Sequence, residues 1–443
     1  MRWVIAGAVT LFCAIAGTAG IGLLNQWLTG YVESDRFRAE LEKETAKGLH
    51  FPSSHYTAIH RTGFLTAVAA RFQADHGRKA LRAMDAHGIT AAFNPLGIFL
   101  RRWQLDEIHI DSGEVGIQTY EPKPEPSPPK PWFHIFLPDR VYLKHVDSEP
   151  ADITWQLRGQ KCGFFDTRLV ITPHDRDFNY QATGGTLKMV LLPNLELRDT
   201  HLLITKTLLT LYDLDLQSRS DTAGHIHADG TAGTGEDRRV NFTIRFEQLP
   251  IAEWLPTNWN DHVAGAAFGN VAWHGKNPKI ESSAGEGELR VEHGRIVELE
   301  LLRKLAALTG HESMERLDLD ECSAQVRWAY PKLQIKKILL EEKGKFRLTG
   351  DVTVERKSVR GTVELGVAPT YLDWLPKADE IFPRRREGYL WTTVHLFGTT
   401  DAPEQDLSPR ITEAIKESPG AALKLLFRQV SDWLKRASSD ESK

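Results

Sequence analysis

From residue 140 to residue 397, apolar and polar side chains alternate with a period of two, and this pattern limits the fold more tightly than any other feature. Val240, Phe242, Ile244 and Phe246 interleave with Asn241, Thr243, Arg245 and Glu247. Phe346, Leu348, Val352 and Val354 follow the same rule, with Gly350 at an expected bend, and Val359, Val363, Leu365 and Val367 make the next run. Turn clusters such as Asp229-Gly230-Thr231-Ala232-Gly233 and Lys343-Gly344-Lys345 separate the runs. Successive side chains on a strand point to opposite faces, so the pattern predicts antiparallel strands with one apolar and one wet face. About 15 to 18 such runs are expected, and at roughly 4.7–4.9 Å per strand a continuous sheet would be about 70–90 Å long. A sheet of that length must curl, split or coil. Curling gives a trough with an apolar lining, whereas packing as two sandwiches turns the same residues into closed core; periodicity leaves both open.

Residues 4–24 form the second constraint: 21 residues without a charge. As a helix they would be about 31 Å long, the thickness of a bilayer's hydrocarbon core. The stretch exceeds a secretory h-region, so residues 1–28 are read as an uncleaved single-pass anchor. Arg2 places the amino terminus in the cytoplasm and the body on the far side of the membrane. Residues 29–120 are expected to be a helical juxtamembrane segment leading into the first strands. Phe64, Leu65, Val68, Ala69 and Phe72 recur at helical spacing, and Ala80, Leu81 and Met84 extend the pattern to Gly88. Gly113 and Gly116 are then expected in a turn. Residues 121–131 (EPKPEPSPPKP) hold six prolines and read as a loop or linker.

Composition excludes several functions. A net charge of −4 argues against general nucleic-acid binding. The three cysteines, at 13, 162 and 322, have no metal-ligand spacing, and Cys162 and Cys322 read as small buried residues rather than a bridge. There is neither a nucleophile elbow nor a P-loop lysine motif, so no enzyme, cofactor or metal is expected. His225-x-His227 with Asp229 reads as ordinary strand residues because no further ligand is suggested. His174-Asp175-Arg176-Asp177 reads as a solvated turn rather than a calcium loop, Gly233-Thr234-Gly235 as a hairpin turn, and Asn241-Phe242-Thr243 as an incidental sequon inside a strand. Trp254, Trp259, Trp374 and Trp391 gather around proline corners, where their expected task is to cover sheet ends, the alternative being to line a lipid-entry mouth.

The corners repeat. Leu249-Pro250-Ile251-Ala252-Glu253-Trp254-Leu255-Pro256 and Ala368-Pro369-Thr370-Tyr371-Leu372-Asp373-Trp374-Leu375-Pro376 each follow an alternating strand, and each precedes a strand ending in glycine and then proline. This paired order implies one β unit used at least twice. Residues 296–308 and a segment around Leu423, Leu426, Phe427, Val430 and Leu434 read as amphipathic helices that cap sheet ends, the alternative for the second being a membrane surface or a partner's groove.

The stretch FRLTGDVTVERKSVRGTVELGVAPTYLDWLP, followed by GYLWTTVHLFGTTDAP, resembles the C-terminal region of AsmA-like proteins, as does the strand running into a leucine-rich helix over residues 287–308. The resemblance implies an inner-membrane, single-pass protein whose bulk lies in the periplasm, mainly β, with a long curved antiparallel sheet forming an apolar groove capped by a few amphipathic helices. On that reading residues 132–284 are the first part of the groove, 285–405 the AsmA-like β region with its inserted helix, and 406–443 a C-terminal amphipathic helix and polar tail. The family's link to outer-membrane biogenesis and lipid carriage implies a non-catalytic protein that binds and moves phospholipid. Val240, Phe242, Ile244, Phe246, Val352, Val354, Val363 and Leu365 are then the expected acyl-chain contacts. The alternative is a scaffold or assembly factor for envelope proteins with a closed β core.

Overall fold

The computed structural model describes residues 25–96, 103–118, 141–157, 159–174, 177–190, 192–205, 207–219, 224–234, 237–255, 260–277, 279–297, 306, 315–400 and 402–417. The apolar run at 4–24, the proline segment at 121–131, Trp259, most of the expected helix at 296–308 and the expected helix around Leu423–Leu434 lie outside them. Among the described residues no helix is long and apolar enough to cross a membrane. The chain is mainly β, and it divides into two compact units between Tyr212 and Asp213, inside the 132–284 segment.

The first unit opens with helix α1 (Asp35–Leu49). Ser34 caps it by accepting a hydrogen bond from the Phe37 amide at 3.2 Å, and His50 ends it in the left-handed conformation. Strands β1 (Ser54–Arg61), β2 (Thr66–Ala74), β3 (Leu81–Asn94) and β4 (Trp103–Ile117) follow as an antiparallel meander. Then come β5 (Val141–Leu143), β6 (Val146–Leu157), β7 (Gln160–His174), β8 (Asp177–Thr183), β9 (Thr186–Lys188) and β10 (Leu195–Ile204). Three sequence expectations are corrected here. The stretch expected to be helical between Phe64 and Gly88 is β2 and much of β3. Residues 64, 68 and 72 are four apart, and that spacing satisfies a strand's period of two as well as a helix's 3.6. Small Ala67, Ala69 and Ala70 supplied no contrast to separate the two. Gly113 and Gly116 lie within β4 rather than in a turn. Finally, the pairing is not wholly antiparallel: β4 runs parallel to β5 and β6, with Ile108 beside Val146 and Val115 beside Ile153. A parallel neighbour needs a long return connection, and the residues between β4 and β5, proline segment included, supply one. α1 covers one face of this sheet, where Ala46 and Phe51 pack on Phe72, Ala74 and Ala86.

β11 (Leu208–Ser218) carries the division. The second unit contains β12 (His225–Gly233), β13 (Val240–Pro250), β14 (Val263–Gly275), β15 (Ser283–Val297), β16 (Arg316–Leu319) and β17 (Glu321–Ala329). It continues with β18 (Lys332–Glu342), β19 (Phe346–Glu355), β20 (Ser358–Val367), helix α2 (Ala378–Ile381), β21 (Arg384–Arg386), β22 (Tyr389–Gly398), β23 (Pro403–Gln405) and helix α3 (Leu407–Lys416). Strands 12, 13, 14, 15, 17, 18, 19, 20 and 22 pair antiparallel in that order. The repeated corners take equivalent places. β13 leads through the 3-10 turn Ile251–Trp254 to its partner β14, and β20 leads through Pro369–Tyr371 towards its partner β22. The two return strands end at Gly275 and Gly398.

Where the period of two slips, the backbone bulges. Phe246 pairs with Gly269 but Leu249 with Ala267, and Gln248 between them has φ 52°. Ile335 pairs with Val352 but Ile338 with Gly350, and Lys337 has φ 49°. One extra residue resets the phase, so Leu333, Ile335, Ile338 and Leu340 all stay on one face.

Candidate functional site

Residues directly opposite each other in an antiparallel ladder project from the same face, so the registers trace rows across the second unit. One row runs Gly230, Phe242, Trp273, Gly285, Trp328, Leu333, Val354, Val359. The next runs Ala228, Ile244, Val271, Gly287, Val326, Ile335, Val352, Gly361, Leu396, nine strands without a polar side chain. The intervening row belongs to the other face: Asp229, Thr243, Ala272, Glu286, Arg327, Gln334, Thr353, Arg360. The sheet therefore keeps every charged side chain of these rows on one face.

The eight expected contact residues fall on this apolar face but differ in burial. Phe242, Ile244, Phe246, Val352, Val354 and Leu365 are half-buried, as are Val271, Val326, Leu333 and Ile335 in the rows between them. Val240 and Val363, by contrast, are 1% and 4% exposed. Beyond Val363 the face is covered: Leu372, Leu375, Ile381, Phe382 and Ala414 form a cluster against Leu365, Val367 and Leu390. α3 thus caps this end of the face. Glycines let rings lie flat across neighbouring strands. A Cβ on Gly269 would stand 2.6 Å from Phe246 Cζ, and one on Gly230 would stand 2.6 Å from Phe242 Cδ1. Val271, Trp273, Val326, Trp328, Leu333 and Ile335 were not singled out from sequence, although the alternation in Asn270-Val271-Ala272-Trp273-His274 and Gln325-Val326-Arg327-Trp328 contained the signal.

The tryptophans divide by their N–H groups. Trp391 donates to the Arg386 carbonyl at 3.0 Å with the Arg386 guanidinium over its ring, and Trp374 donates to the Tyr371 carbonyl at 2.8 Å. The indole nitrogens of Trp254 and Trp273 are buried with no hydrogen-bond partner. Trp273 packs against Phe242 within the apolar face, with ring centroids 5.6 Å apart and planes tilted by 31°. Cys162 and Cys322 are both free, and burial raises the Cys322 thiol pKa.

On the charged face, His225 and His227 meet a carboxylate, although not that of Asp229. Asp229 faces Arg245 at 3.9 Å. Asp215 of β11 instead places Oδ1 3.1 Å from His225 Nδ1 and 3.8 Å from His227 Nδ1. The two imidazoles are parallel, 5.8 Å apart. Comparison with family models, curated proteins and solved structures finds no match for this chain.

Proposed function

We propose that this protein binds the acyl chains of phospholipid on the apolar face of its second unit and acts, without catalysis, as a membrane-anchored lipid handler of the cell envelope. The observation that carries the reading is the pair of apolar rows spanning eight and nine strands while most of their large side chains stay half-buried. A closed sandwich core would bury those side chains fully; an acyl chain laid along the rows gains about 0.8 kcal/mol for each CH₂ it removes from water. Headgroups would remain in water. The uncharged run at residues 4–24, read as an anchor, and the AsmA-like resemblance of residues 346–403 agree with this role. Movement of lipid would follow a gradient or a partner, since the chain has no nucleotide motif.

The test uses the full-length protein in native membranes with a photoreactive amino acid at Ile244 or Val352, and at Thr243 or Thr353 as controls on the other face. Lipid adducts at the first pair and not the second are the expected result. Protein adducts at Ile244 and Val352 with no lipid would instead support the envelope-scaffold alternative and overturn the proposal.

A further inference from the structure

We infer that Asp215, His225 and His227 form a binding site for one divalent ion of the zinc class, on the face of the sheet opposite the apolar rows. The three side chains are the group among the described residues whose ligand atoms converge, all lying within 4.8 Å of one another. Zinc bonded at about 2.0–2.1 Å in tetrahedral geometry separates its ligand atoms by about 3.3 Å. The two measured separations from Asp215 Oδ1, 3.1 and 3.8 Å, bracket that value.

Several features favour an ion over a plain histidine–carboxylate contact. One carboxylate oxygen lies between two imidazole nitrogens, whereas a single histidine would satisfy a simple pair. The His-x-His spacing on β12 puts both rings on one face, and their parallel stacking aims both Nδ1 atoms at the same oxygen. Two imidazoles and a carboxylate are a donor set suited to zinc and its first-row neighbours, not to calcium or magnesium. Glu247 stands directly across from His225 in the β12–β13 register but is not among the converging ligand atoms, so water is the candidate for the fourth position. Arg245, across from His227, is drawn toward Asp229. An ion here ties β11 to β12 across the connection at residues 219–224, so its role is a structural clip.

The experiment titrates Zn²⁺, and separately Co²⁺, into the untagged full-length protein in detergent, read by native mass measurement, calorimetry and the visible d–d absorption of bound Co²⁺. The expected result is one ion per chain with a tetrahedral Co²⁺ spectrum. Binding should weaken by about 100-fold or more in Asp215→Asn and in the double variant His225→Ala/His227→Ala, exceeding the 10–100-fold that loss of an outer-shell partner causes. Asp229→Asn should leave it unchanged. Circular dichroism confirms that each variant is folded. Absence of saturable binding, or unchanged stoichiometric binding in the double histidine variant, overturns the site.

Discussion

Phe72 in the first unit and Ile244 in the second both sit in apolar rows of a β-sheet, yet they meet opposite fates. Phe72 is 3% exposed beneath α1, packed with Ala46, Phe51, Ala74 and Ala86. Ile244 is half-buried between Ala228 and Val271. Alternation alone therefore makes an apolar face but does not say what covers it. That is decided by whether a helix with an apolar stripe lies close enough in the chain to fold back. α1 does this for β1–β4, and α3 with the Leu372–Phe382 segment does it for the β20–β22 end.

The largest expected effect tests the covered side. Phe72→Ala should cost about 3–5 kcal/mol, because the cavity beneath α1 cannot collapse. Denaturant unfolding gives the value directly. A loss below about 1 kcal/mol would mean that α1 does not close the sheet and that the two regions are alike.

A matched pair of smaller substitutions sharpens the contrast within one sheet. Val363 and Val352 share a face, but Val363 is 4% exposed and Val352 half-buried. Val363→Thr leaves a hydroxyl with nowhere to bond and should cost about 1–3 kcal/mol. Val352→Thr, whose hydroxyl can reach water, should stay within about 0.5 kcal/mol. Equal costs at the two positions would show that the rows around Val352 are covered after all, and the proposed lipid face would fail with them.

These residues also show how much was legible beforehand. β13, β19 and β20 could be read because β-branched and aromatic residues alternate with charged ones, so Phe242, Ile244, Val352 and Val354 were placed on the correct face of their strands from the sequence alone. β2 and β3 could not, because alanine favours a helix over a strand, and the spacing of Phe64, Val68 and Phe72 suits both. The continuous rows were illegible for another reason. They depend on register, and register depends on bulges at Gln248 and Lys337 that appear in sequence only as a skipped beat. Asp215 was missed likewise: nothing local links it to His225, ten residues on, until the strands are side by side.

The smallest effect concerns the charged face of the covered region. Asp85 accepts hydrogen bonds from Arg71 Nε at 2.8 Å and Nη2 at 2.5 Å, and this pairing holds its pKa below the ordinary carboxylate value. A carboxyl whose pKa is lowered by folding contributes stability that is fully present above its unfolded pKa, about 3.9, and that is lost as pH falls through the lower folded value. Asp85→Asn should therefore lower stability slightly at neutral pH, by far less than Phe72→Ala since both partners are substantially exposed, and the difference from the parent protein should vanish as pH falls through the folded pKa. Fluorescence followed from pH 7 down through about pH 2, across the unfolded carboxylate range, reads both arms. If Asp85→Asn instead destabilised the protein at neutral pH as much as Phe72→Ala, the covered end would owe its stability to the ion pair on its wet face, and the helix over Phe72 would not be what distinguishes it from the open rows around Ile244.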